Sequence, residues 1–150
     1  GVQTVCSSDL ELIVSQNVSR SSTQYKFKGI GASISIPSNA DSLGIVTIRR
    51  ISGRVPPSFR DSDAVKRWYQ ILTPRRNSNA SLSLSFLGGV ENNTQSDSSM
   101  KLWSSADDTT VWKRRPESDY NRSNSITIAG YNSDSSSLWA FHQKLEEFQQ

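Results

Sequence analysis

The chain has 150 residues, the size of one ordinary domain, and a formal net charge of +3. No run nears the roughly 18 consecutive apolar residues of a membrane span, and no charged-then-apolar leader opens it, so any signal peptide is expected upstream. The one cysteine, Cys6, and the one histidine, His142, exclude a disulfide framework and a His-rich metal site, and argue against a His-based triad.

Residues 1–23 read as an N-terminal strand or linker segment, with Asp9–Val14 as one of two helical candidates. Gln24–Lys28 reads as a strand. Ala32, Ile34 and Ile36 then alternate with Ser33 and Ser35, the period-two pattern of a strand with one buried and one wet face. Ile45–Ile51 is a β-branched run interrupted by Arg49 and Arg50. From Val65 to Thr73, Arg67, Tyr69 and Ile71 share one face while Trp68, Gln70 and Leu72 share the other. Pro74 ends that strand because it donates no ladder hydrogen bond. Ala80, Leu82, Leu84 and Phe86 alternate with Ser81, Ser83 and Ser85. Shorter strands are predicted at Met100–Trp103, Thr110–Lys113, Ser125–Ala129 and Ser137–Phe141.

Turn-forming clusters rich in Ser, Asn, Asp, Gly and Pro separate these runs at roughly ten-residue intervals, which is the signature of an antiparallel sandwich or barrel. The helical patterns that a parallel α/β sheet needs between its strands are missing. The fold class expected is all-β, an antiparallel β-sandwich of about eight strands over residues 24–141. His142–Gln150 is expected to be a short C-terminal helix, a linker or an expression remnant. Serine, roughly one residue in five, falls on outward strand positions and in turns, where its hydroxyl bonds nearby backbone.

The chemistry-bearing residues point away from catalysis. The carboxylate pairs Asp61/Asp63, Asp107/Asp108 and Glu146/Glu147 sit in polar loops or the tail, with nothing to desolvate one member as glycoside hydrolysis requires. No Gly-x-Ser-x-Gly elbow occurs, and Cys6 has no identifiable base beside it. Calcium would take oxygen ligands, for which Glu91, Asp107 and Asp108 are the candidates, although no EF-hand-type loop is present. No other cofactor is expected. The arginines at 49, 50, 54, 60, 75, 76, 114 and 115 interleave with aromatics, yet neither an RNP pattern nor a basic tail accompanies them, so nucleic acid is not expected as a partner. Trp68, Trp112 and Trp139 are read as core. Trp103 stands opposite in parity to Met100 and Leu102, so it is either packed across the sheet or exposed; if exposed it is the candidate sugar-stacking ring, with Tyr120, Tyr131 and Asn92 as further contacts from loops. Four Asn-x-Ser/Thr triplets occur, at Asn17, Asn79, Asn92 and Asn121; two or more are expected by chance in this composition, so they do not establish a eukaryotic secretory origin.

Val65-Lys-Arg-Trp-Tyr-Gln-Ile-Leu-Thr-Pro74 followed by Ala80-Ser-Leu-Ser-Leu-Ser-Phe86 resembles a β-sandwich module of large secreted and cell-surface proteins of Bacteroidota. In that family an Arg-aromatic-aromatic strand ends in Thr-Pro and an alternating strand follows. Then come an Asn-rich acidic loop, a strand, an Asp-containing turn closing on Trp, and a final aromatic strand. Here Gly88–Ser99, Met100–Trp103, Asp107-Asp-Thr-Thr-Val-Trp112 and Ser137-Leu-Trp-Ala-Phe141 follow that order, and residues 25–36 and 44–49 match in style. The turn at 107–109 departs from it by lacking glycine. The resemblance implies a noncatalytic extracellular module, a structural spacer or adhesion unit of a longer chain exported by the type IX route, with gliding-motility adhesins as one setting. Its implied partners are neighbouring domains of the same chain, surface polysaccharide or other surface proteins, and it carries over no catalytic residue. A carbohydrate-binding module that uses exposed Trp and Tyr platforms is the alternative.

Overall fold

The computed structural model describes residues 2–8, 11–19, 24–37, 42–56, 64–76, 79–88, 90–91, 93, 99–106, 111–121, 124–131 and 136–143, the first of these stretches by backbone alone. The described chain is all-β. Its strands are β1 (Val2–Ser8), β2 (Glu11–Val18), β3 (Gln24–Phe27), β4 (Ala32–Ser35), β5 (Gly44–Ser52), β6 (Arg67–Leu72), β7 (Ser81–Ser85), β8 (Lys101–Ser105), β9 (Lys113–Arg115), β10 (Asp119–Asn121), β11 (Ser125–Ala129) and β12 (Leu138–His142). They form a seven-stranded sheet in the order β1-β2-β5-β6-β12-β8-β9 and a five-stranded sheet in the order β10-β11-β7-β4-β3. Every described pairing is antiparallel. Among the described residues no helix is long and apolar enough to cross a membrane.

The sheets pack face to face because both follow the period-two rule. The larger one contributes Val14, Val18, Val46, Ile48, Tyr69, Ile71, Leu102, Trp139 and Phe141 to a single apolar core, and the smaller one contributes Tyr25, Phe27, Ile34, Leu82, Leu84, Ile126 and Ile128. Burying each aliphatic side chain of this set fully is worth roughly 1.5–3 kcal/mol against leaving it in water. The aromatic rings interlock at one end, where Phe141 lies 5.1 Å from Phe86 and 6.1 Å edge-on from Tyr69, centroid to centroid.

A second apolar cluster lies on the other side of the large sheet. Trp68 of β6, Trp103 of β8 and Leu138 and Ala140 of β12 are covered there by Ala64 and Val55 from the β5–β6 connection and by Trp112 from just before β9. The alternation rule therefore holds on β6, but its outer face is a small core rather than a wet one.

Four features differ from the sequence expectation. The described residues form twelve strands where about eight were expected, with β1, β2 and β10 among those beyond the individually predicted runs. The N-terminal segment belongs to the sandwich, since β2 pairs with β5 from Glu11↔Ile51 to Val18↔Gly44 and sinks Val14 and Val18 in the core. The helical candidate at Asp9–Val14 is a strand from Glu11 onward, because Leu12 and Val14 point inward while Ile13 pairs outward. The run Leu12-Ile13-Val14 hides this alternation. His142 closes β12 instead of opening a helix; residues 144–150 lie outside the described set.

Candidate functional site

The residues singled out from the sequence do not come together. Trp103 is fully buried, its indole Nε1 donates to the His142 carbonyl at 3.4 Å, and its ring meets the His142 imidazole edge-on at 6.2 Å. No face of it is open to a sugar. Tyr131 is 1% exposed, and its hydroxyl lies 3.2 Å from Thr73 Oγ1. Burial pushes its phenol up to about 12. Tyr120 is half-buried against the core and donates to Asn124 Oδ1 at 3.0 Å. Asn92, Asp107 and Asp108 lie outside the described residues. All four tryptophans are buried, so the ring platforms of the carbohydrate alternative are engaged in packing. Among the described residues no three His, Cys, Asp or Glu side chains gather as a metal-binding group.

Glu91, a calcium candidate from sequence, has a different occupation. It is buried and bonds Arg67, also buried, with 2.9 Å between Arg67 Nε and Glu91 Oε1. The same oxygen accepts from the Leu87 backbone N–H at 2.7 Å. Arg67 Nη1 faces the Tyr69 hydroxyl at 3.4 Å, and that hydroxyl donates to the Ser85 carbonyl at 2.6 Å. Burial raises the Tyr69 phenol above its ordinary range. The network ties β6, β7 and the loop after β7 into one clamp, because a charge removed from water is retained only when it is paired and fully hydrogen-bonded. Gly31 closes it from β4's entrance at φ +81, where a Cβ would run into Ser85 Oγ and crowd the Tyr69 hydroxyl and Arg67 Nη1. Strand parity had placed Arg67 on the face of Tyr69 and Ile71; the partner in a distant loop carried no sequence signal.

Two other arginines are also paired. Arg49 donates to Glu11 at 2.6 Å and lies 5.8 Å from the centre of the Trp68 ring, and this hydrogen bond holds the Glu11 carboxyl below its ordinary value. Arg115 is buried, donates to Ser104 Oγ at 2.7 Å and stacks over Trp139 at 5.3 Å. These cations brace the large sheet.

Among the described residues, two surface features stand out. A depression of about 350 Å³ opens beside the ends of β5 and β6, lined by Ile45, Leu72, Pro74, Arg76, Tyr131 and Ser136. The second is the outer face of the five-stranded sheet. A groove of about 300 Å³ there is lined by Lys26, Lys28, Ser33, Ser83, Ser85 and Ser125. A second of about 180 Å³ adjoins it through Ser33 and Ser83, and is lined further by Gln24, Ser35, Ser81 and Thr127. Outward serine positions were legible in the sequence; which of them stand side by side depends on the register between strands far apart in the chain.

Comparison with known proteins found no family model and no curated protein that matches this chain.

Proposed function

We propose that this domain is a noncatalytic extracellular β-sandwich, a structural spacer or adhesion unit of a larger bacterial surface protein. The observation that supports the reading most is the use made of its expensive side chains. The four tryptophans and the buried Arg67–Glu91 pair all serve packing or bracing. A spacer needs a sheet held from both sides, and the central strands β6, β8 and β12 have an apolar cluster on each face. An adhesion unit needs a broad solvated face that resists aggregation, and the serine-covered small sheet offers one.

The test is in-frame deletion of this domain from the polypeptide that carries it. Export to the surface should persist while cell attachment, or the reach of the parts beyond the domain, falls. Loss of a chemical conversion with attachment unchanged would overturn the reading.

A further inference from the structure

The outer face of the five-stranded sheet carries an ordered array of hydroxyls. Lys26 stands opposite Ser33, Ser33 opposite Ser83 and Ser83 opposite Thr127. At strand spacings near 4.8 Å this row runs roughly 14 Å across four strands. A parallel row joins Gln24, Ser35 and Ser81, and a third pairs Ser85 with Ser125. The two grooves described above run along these rows and share Ser33 and Ser83. The Ser85 hydroxyl donates to the Gly31 carbonyl and that of Thr127 to Ser83 Oγ. The hydroxyls of Ser33, Ser35, Ser81 and Ser125 have no partner among the described residues. Gly29 and Gly31, both at φ +81, line one end of the groove.

Among the described residues, the cationic groups of this face lie on one side. The ammonium groups of Lys26 and Lys28 border the groove, and neither is paired with a carboxylate among the described residues. At the opposite edge Asp119 faces Thr127 across the β10–β11 ladder, so an anion is drawn to the β3 side.

We propose that this face binds an acidic polysaccharide, its anionic groups on Lys26 and Lys28 and its sugar hydroxyls along the Ser33–Ser83–Thr127 row. Each serine hydroxyl donates and accepts, as each sugar hydroxyl does, so a row of them exchanges water for sugar with every polar group satisfied. A single-stranded nucleic acid fits poorly because the groove presents no exposed ring for bases to stack on, Phe27 being 1% exposed. The inference rests on the adhesion reading for its biological setting, and names the ligand class that such a unit would hold.

The experiment is an amide-resolved NMR titration with a galacturonate oligomer, dextran sulfate and a neutral malto-oligosaccharide. The galacturonate or the sulfate polymer should shift amides of β3, β4 and β7, and whichever binds more tightly assigns the anion as carboxylate or sulfate ester. Replacing Lys26→Gln with Lys28→Gln should weaken binding about tenfold, the scale of two partly screened charge contacts. Replacing Ser33→Val with Ser83→Val should weaken it about threefold, the scale of one net hydrogen bond. Both pairs are solvent-facing, so unchanged melting verifies that the variants fold. Failure of both anionic polymers to bind, equal binding of the neutral sugar, or indifference to the serine pair would overturn the proposal. None of those results touches the spacer reading, which the deletion experiment tests separately.

Discussion

On the seven-stranded sheet the outward side chains Trp68, Trp103, Leu138 and Ala140 are sealed beneath Val55, Ala64 and Trp112. On the five-stranded sheet the equivalent outward positions are Ser33, Ser35, Ser81, Ser83, Ser85 and Ser125, each half-buried by its neighbours and open to water. Both sheets obey the same alternation, and both turn their inner faces to one shared core. The difference lies in the connections. The large sheet is covered by long loops that bring their own apolar residues, whereas no apolar cluster lies over the small one among the described residues. A two-sheet domain can thus stiffen one layer and leave the other as a surface, with the tryptophans concentrated in the stiff layer.

The contrast breaks most readily at the tryptophans. Trp103→Ala should cost about 3–5 kcal/mol in urea unfolding, the price of a large buried ring and the cavity it leaves. A loss below about 1 kcal/mol would mean that the outer cluster is not a core. Glu91→Ala should cost about 3–5 kcal/mol, since it strands the buried Arg67 guanidinium without its partner. Arg67→Met combined with Glu91→Leu should recover much of that loss, and failure to recover would point to the hydrogen bond with Leu87 instead.

A smaller effect appears in alkali. The Tyr131 phenol is raised to about 12 by burial, so the folded state keeps its proton where the unfolded state has lost it, from about pH 10 upward. The stability this contributes is whole below pH 10 and is lost as pH rises from there through about 12. Tyr69, raised in the same direction, adds to the fall. Unfolding followed against pH should show this limb in the parent protein and a shallower one in Tyr131→Phe. The smallest effect belongs to the wet face: Ser81→Val should change stability by under about 0.5 kcal/mol. A large change there would mean that the small sheet is covered as the large one is.

How much of this was legible in the sequence follows from what each element depends on. Strands β4, β6, β7 and β11 were readable because a buried face and a wet face force alternation within the element itself. Strand β2 was not, since Ile13 on its outer side packs an apolar residue between two inward ones. Strand β10 was not, since three residues on a sheet edge carry no period. Trp68, Trp112 and Trp139 were legible as core, while parity set Trp103 opposite Leu102 and left it either exposed or packed across the sheet. Parity was correct; the missing information was the cover formed by Ala64, Val55 and Trp112, which comes from loops distant in sequence. The pairing of Arg67 with Glu91 and the alignment of Ser33 with Ser83 have the same character, both set by tertiary register.

The central claim is that the tryptophans build the domain and are not held out to a ligand. Acrylamide quenching of the intrinsic tryptophan emission of the folded protein tests it directly. The account predicts a blue-shifted emission that is poorly quenched until the protein unfolds, and unaltered by added oligosaccharide. A readily quenched, red-shifted component that vanishes in Trp103→Phe would contradict it.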